Sequence, residues 1–201
     1  MNTKTLKLEI SSYWHAGTGA GQGALLDSVV EKDNLGLPYL PGRTLKGILR
    51  DAVYRWEQLG GYENVTTHKT SITETLFGVW GDDGNETTQG LIRVGSATME
   101  ASFKEAIAQH KNRNSLVSYL YVEHFSTKIN KETGTATDKS LRGSEMAIPM
   151  DLYADITLLD HTDSEADVFT LLEQAFPMVQ AIGKHKNRGL GRTALTWTVK
   201  S

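Results

Sequence analysis

The sequence predicts an α+β fold in which four antiparallel strands are backed by two helices, in the order β-α-β-β-α-β. Three observations predict it. Residues 5–13 and 193–199 alternate apolar and polar, the mark of half-buried strands at the two ends of the core. Leu45, Ile48, Leu49, Ala52, Val53, Trp56 and Leu59 recur at helical spacing. A second helical stripe, Val168, Leu171, Leu172, Ala175, Val179 and Ile182, precedes the last strand.

Taken in order, Leu6, Leu8 and Ile10 put one face of the first strand in the core, and a loop of small residues, Ala16 to Ala24, follows. The first long helix is expected to start at about Thr44 and to stop at Gly60-Gly61. Residues 62–90 are rich in Thr, Gly and acids and read as loop, with a short helical piece from Ile72 to Phe77. Leu91 to Ala97 reads as the second strand, and Met99 to Arg113 as a modest helix on Phe103, Ala106, Ile107 and His110. Leu116 to Ile129 and Leu141 to Pro149 flank a polar tip at Asn130–Lys139, a long hairpin with a turn glycine. Leu152 to Leu159 is the next strand of the core. Ser164 offers an N-cap and Asp167 the reciprocal capping-box position for the second helix, which Pro177 is expected to kink or break. Stripped of insertions at about 62–90 and 99–149, residues 1–201 read as one domain with a ferredoxin-like (RRM-like) core, a superfold that names no function.

Composition narrows the function. The absence of cysteine excludes disulfides and thiolate metal sites. No stretch approaches the roughly 18 apolar residues that span a bilayer, so the chain is read as soluble and cytoplasmic, with no membrane partner. A net charge of −3 speaks against a simple nucleic-acid binder, yet the charge is segregated. Asp151, Asp155, Asp160, Asp163, Glu165, Asp167 and Glu173 lie in a stretch without Lys or Arg, which leaves a net +4 for the remainder.

Two stretches suit a polyanion. Gly183-Lys184-His185-Lys186-Asn187-Arg188-Gly189-Leu190-Gly191-Arg192 combines four cations and three glycines with no acid. Glycines let backbone N–H groups approach a ligand while the cations neutralise phosphate. In Leu37–Arg50, two prolines stiffen the approach to a helix, Gly42 frees the turn at Arg43-Thr44, and Arg43, Lys46 and Arg50 add cations beside the helix N-terminus. Gly47 inside that helix suggests close approach of another backbone. Neither GxGxxG nor GxxxxGK[ST] occurs, which argues against nucleotide hydrolysis. The histidines show no metal-ligand spacing: His68, His110, His124 and His161 read as scattered surface residues, and His185 as a phosphate contact.

These motifs resemble those of the repeat-associated mysterious protein (RAMP) superfamily, the CRISPR-associated RNA-binding proteins. Leu37 to Arg50 resembles its LPxxPGSSLKGxLR signature, with Arg43-Thr44 in place of the usual Ser-Ser. Gly183 to Arg192 resembles its C-terminal glycine-rich loop, commonly ending RGLGR. Leu76-Phe77-Gly78 and Gly90 to Ala97 look like its LFG and GxLxVxDA elements, with Ser96 replacing the acid. Asn130 to Pro149 is similar to the thumb of backbone subunits.

Within the superfamily the chain looks most like the backbone subunit of type III effector complexes, the Csm and Cmr group. The resemblance implies partners: a CRISPR guide RNA, a complementary target RNA and other effector subunits, further RAMP subunits among them. It also implies cleavage of the target through an aspartate after the first strand. Asp27, followed by Ser28-Val29-Val30, stands one residue out of the family spacing, and Asp33 is the competing carboxylate. Cleavage would use a divalent cation, Mg²⁺ by expectation, or direct deprotonation of a ribose 2′-OH; no metal ligand set is assigned. His15 corresponds loosely to a family histidine near the end of the first strand, a place from which it would contact RNA or assist proton transfer, with a structural role equally open. The expected RNA contacts are therefore His15, Gly42, Arg43, Thr44, Lys46, Arg50, Lys184, His185, Lys186, Asn187, Arg188 and Arg192, the two stretches folding into a single cradle. The rival is a structural subunit that holds RNA without cutting it. A third reading, a stand-alone guide-processing nuclease, would need His15 with Tyr13.

Overall fold

The computed structural model describes residues 2–17, 19, 27–62, 71–79, 88–137, 140–159 and 165–198. Strand β1 (Thr3–Ile10) buries Leu6, Leu8 and Ile10, as its alternation requires. Helix α1 (Gly42–Gln58) starts two residues earlier than expected, directly after Pro41. Leu45, Leu49, Ala52 and Val53 are its buried stripe, whereas Leu59 lies past its end and is 72% exposed. Gly60, at φ 78°, stops the helix: its N–H bonds to the Glu57 carbonyl and that of Gly61 to the Trp56 carbonyl, the paired Schellman bonds.

The first insertion holds α2 (Ile72–Phe77) and the paired short strands β2 (Gly78–Val79) and β3 (Thr88–Gln89). The carboxylate of Glu57 anchors α2, accepting from the Ser71 and Thr73 hydroxyls and from the Ile72 and Thr73 N–H groups. Strand β4 (Ile92–Val94) is only three residues long.

The second insertion departs from expectation. Helix α3 (Ala101–Gln109) is followed by a second helix, α4 (Arg113–Ser118), where a strand was expected from Leu116. Leu116, Val117 and Leu120 pack with Leu37 and Ile107 in a small separate core, and that packing overrides the strand preference. Strands β5 (Tyr121–Ser126) and β6 (Arg142–Ala147) form the expected hairpin as an antiparallel ribbon, with Gly134 at φ 67° in its tip.

Strand β7 (Met150–Leu158) leads to α5 (Glu165–Ala175) and β8 (Thr193–Trp197). Pro177 ends α5 as expected, in a 3₁₀ turn at Phe176–Met178. Ser164 and the side chain of Asp167, the expected cap, lie outside the described residues, as do most of the Ala16–Ala24 loop and Val199.

The main sheet has the order β4-β7-β1-β8, antiparallel throughout, so β1, α1, β4, β7, α5 and β8 follow the expected β-α-β-β-α-β course. Helices α1 and α5 share one core with the face carrying Leu6, Leu8, Leu152, Ala154 and Leu195. The other face shows Thr5, Lys7, Asp151, Tyr153 and Asp155, with Lys7 paired to Asp151 at 2.8 Å and Thr5 bonded to Asp155. Its β1 and β7 positions hold one aromatic residue, Tyr153, and so lack the aromatic platform on which RRM-type sheets stack bases.

Candidate nucleic-acid interface

The glycine-rich loop is laid along the segment that leaves β1. Ser11 N–H bonds to the Arg192 carbonyl, Gly191 N–H to that of Tyr13, and Lys184 N–H to that of His15, at 2.8–2.9 Å. Two glycines make this approach possible. Gly183 and Gly191 have φ of 78° and 68°, and a Cβ at either would collide with backbone, that of His15 and Ile182 respectively. His185, at φ 63°, is the sole non-glycine with positive φ among the described residues. A non-glycine held there is a strained feature of the kind that clusters at ligand sites. The loop thereby presents Lys184, Lys186, Asn187, Arg188 and Arg192 as exposed side chains, with His185 half-buried among them.

His15 is a correction to the surface contact expected of it. The ring is 1% exposed and its Nδ1 donates to the Glu145 carbonyl at 2.6 Å. Burial pushes its pKa below the usual histidine value; Lys184 adds to that, while the bond to Glu145 opposes it. His15 therefore supports the loop from beneath, and the His15–Tyr13 acid–base pair of the third reading is not formed at a surface.

The two carboxylates after β1 separate clearly. Asp33 is engaged in its own turn: Oδ1 accepts from the N–H groups of Leu35 and Leu37, and Oδ2 pairs with Lys104 at 3.1 Å. Asp27 is exposed, its N–H bonds to the Gly143 carbonyl of β6, and its carboxylate has no partner among the described residues. Beside it, Ser28 Oγ donates to Ser144 Oγ and accepts from Lys184 Nζ at 3.3 Å. Glu145, in the next position of β6, is committed elsewhere, to the Val30 N–H and to Lys32 at 2.8 Å.

The start of α1 is the second basic site. Gly42 lies so close to β4 that a Cβ would stand 2.6 Å from the Val94 carbonyl oxygen. Its N–H donates to Ser96 Oγ at 3.1 Å. A hydroxyl where the family carries an acid satisfies that donor without neutralising the positive helix end. Arg43, Lys46 and Arg93 line a cleft of about 290 Å³ there; Arg93, which sequence reasoning missed, is placed by its β4 register. Thr44 and Arg50 are exposed on the same helix. Gly47 is also exposed, and nothing stands within 4 Å of where its Cβ would be, so the expected close approach does not occur.

A single cradle is likewise not what the topology builds. The helix start packs beside β4 and the glycine-rich loop runs into β8, at opposite edges of the sheet. Three inter-strand steps separate those edges, about 14 Å. These are two basic sites on one protein.

For a divalent cation the fit is narrow. No group of three His, Asp or Glu side chains that could hold a metal occurs among the described residues. Asp27 offers one exposed carboxylate, unpaired among the described residues, which suits the hydrated kind of Mg²⁺ site completed by water and substrate phosphate.

Fold and sites define an α+β protein with a cationic glycine-rich loop docked on the segment that leaves its first strand. A family model, the RAMP superfamily, matches residues 7–194, and the chain belongs to that superfamily. Two solved structures share its fold. One is described as a cryo-EM structure of the type III-B Cmr-beta bound to cognate target RNA: TM-score 0.69, 10% identity, 98% of this chain and 97% of the other covered. The second is the apo state of type III-B Cmr-beta: TM-score 0.65, 11% identity, with the same coverage. Among curated proteins none matches this chain in sequence. No described helix is long and apolar enough to cross a membrane.

Proposed function

We propose that this protein is a guide-RNA-binding backbone subunit of a type III CRISPR effector complex and that it cuts complementary target RNA at Asp27. Its partners are then the guide RNA, the target RNA and neighbouring effector subunits, RAMP subunits included. Superfamily membership and the fold shared with chains of Cmr-beta complexes support the assembly. The observation that carries the catalytic part is Asp27 itself, exposed and without a partner among the described residues beside a cationic loop, while Asp33 is locked in a turn.

A strand of several nucleotides is long enough to touch both basic sites, and phosphate contacts there position the RNA without reading its sequence. In cleavage, the ribose 2′-oxygen bonds to phosphorus as the bond from phosphorus to the 5′-oxygen breaks. The 2′ proton passes to the Asp27 carboxylate or to bulk base, and the leaving oxygen takes a proton from water. Mg²⁺ on Asp27 and the phosphate would supply charge neutralisation.

The test is to incubate the assembled complex with complementary RNA and Mg²⁺. Regularly spaced products, lost in Asp27→Ala with assembly intact, are expected. Undiminished cutting by that variant would overturn the role of Asp27, and absence of cutting by the wild type would leave a structural subunit.

A further inference from the structure

His124, which reads in the sequence as a scattered surface histidine, stands in a polar row beside Asp27. It pairs in register with Ser144, and cross-strand partners share a face of the ribbon. The hydroxyl bond from Ser28 to Ser144 at 3.2 Å places Ser28 on that face, and Lys184 Nζ closes the row on Ser28. The two serines are each 8% exposed, while His124 and Lys184, at the two ends, are open to solvent.

We propose that His124 and Lys184, joined through the Ser28–Ser144 pair, form a subsite for one phosphodiester of an RNA strand, seated next to Asp27. The subsite rests on the RNA-binding reading above. Its chemistry is that of a donor set. Lys184 spends one of its three N–H groups on Ser28, and Ser28 spends its proton on Ser144, whose own hydroxyl proton has no acceptor among the described residues. Glu145, the nearest carboxylate on β6, faces Lys32 and the Val30 N–H and does not compete for Lys184. His185 adjoins the row: burial lowers its pKa first, and Lys184, Arg188, His15 and His124 each lower it further. The cations Lys184 and Arg188 of the loop thus meet the polar groups of His124, Ser28 and Ser144, and Asp27, whose carboxylate has no partner among the described residues, precedes Ser28 in the chain.

The experiment measures binding of a single-stranded oligouridine to the full 201-residue chain by fluorescence anisotropy across a salt series. Lys184→Met is expected to weaken binding about tenfold and to lower the salt slope by about 0.7, the value of one phosphate contact on a single strand. His124→Gln is expected to weaken it several-fold, with thermal unfolding unchanged because the side chain is exposed. The double variant should lose less than the product of the two, since both residues serve one phosphate. If the wild type binds and His124→Gln binds equally well, the subsite is overturned and the RNA reading stands. If the wild type does not bind, the RNA reading itself fails and the subsite with it.

Discussion

His15 and Glu145, 130 positions apart, are tied by a 2.6 Å hydrogen bond from Nδ1 of the ring to the backbone carbonyl. A carbonyl only accepts, so the buried imidazole carries its proton on Nδ1 when neutral. Its pKa lies below 6.5, chiefly because burial disfavours the charged ring. As pH falls below 6.5, the unfolded chain takes up a proton that folded His15 refuses, and stability falls until the folded pKa is reached. The slope from this residue is at most ~1.4 kcal/mol per pH unit. Urea midpoints measured from pH 7.5 downward should drop more steeply for the wild type than for His15→Gln, which cannot titrate. Parallel curves would show that His15 is not held neutral.

The glycine-rich loop contains its own control. Gly183→Ala and Gly191→Ala force a Cβ into backbone at positive φ and should each cost about 2–4 kcal/mol. Gly189 has φ 82° but open space around it, so Gly189→Ala should cost only about 1 kcal/mol. Equal losses at all three positions, read by thermal or urea unfolding, would mean that the loop does not dock as described.

Glu57 clamps the start of α2. Burial raises its pKa, but hydrogen bonds from Thr73, Ser71 and Ile72 outweigh that and hold it below the usual 4.5. The carboxylate's contribution is therefore full above about pH 4.5 and is lost as pH falls through the folded value. Glu57→Ala leaves the buried N–H groups of Ile72 and Thr73 unpaired and should cost about 2–3 kcal/mol at neutral pH. Glu57→Gln, which keeps an acceptor, should lose less.

At the α1 start, Lys46→Ala and Arg93→Ala should weaken RNA binding irrespective of sequence, each lowering the salt slope by about 0.7. Arg50 lies one turn beyond the cleft, and Arg50→Ala should do the same only if the strand continues along the helix. Unchanged slopes in all three would remove this helix from the interface.

What the sequence made legible was set by local periodicity. The stripe from Leu45 to Val53 and the alternation of Leu6, Leu8 and Ile10 survive in the core because each residue's burial follows from its own element. The second insertion was less legible, since α4 owes its conformation to Leu37 and Ile107, distant in the chain. Of the two roles left open for His15, burial against β6 selects the structural one; His124 is the surface residue it reads as, and strand pairing alone sets it opposite Ser144. The two basic motifs resemble each other in composition, but strand order decides their separation, and no local pattern encodes strand order.

The ribbon of β5 and β6 meets the stretch leaving β1 where Trp14 and Ala147 exchange both backbone hydrogen bonds and the Trp14 indole N–H reaches the Ile148 carbonyl. Asp27 is fastened to the ribbon through Gly143, Gly191 and Arg192 to the stretch before Trp14, and Lys184 to His15, whose ring is itself bonded to the ribbon at Glu145. The ribbon is itself held by both hydrophobic cores, Ala147 lying in the main one and Tyr121 packing against each, so side-chain packing as well as hydrogen bonding fixes where Asp27 stands relative to Lys184.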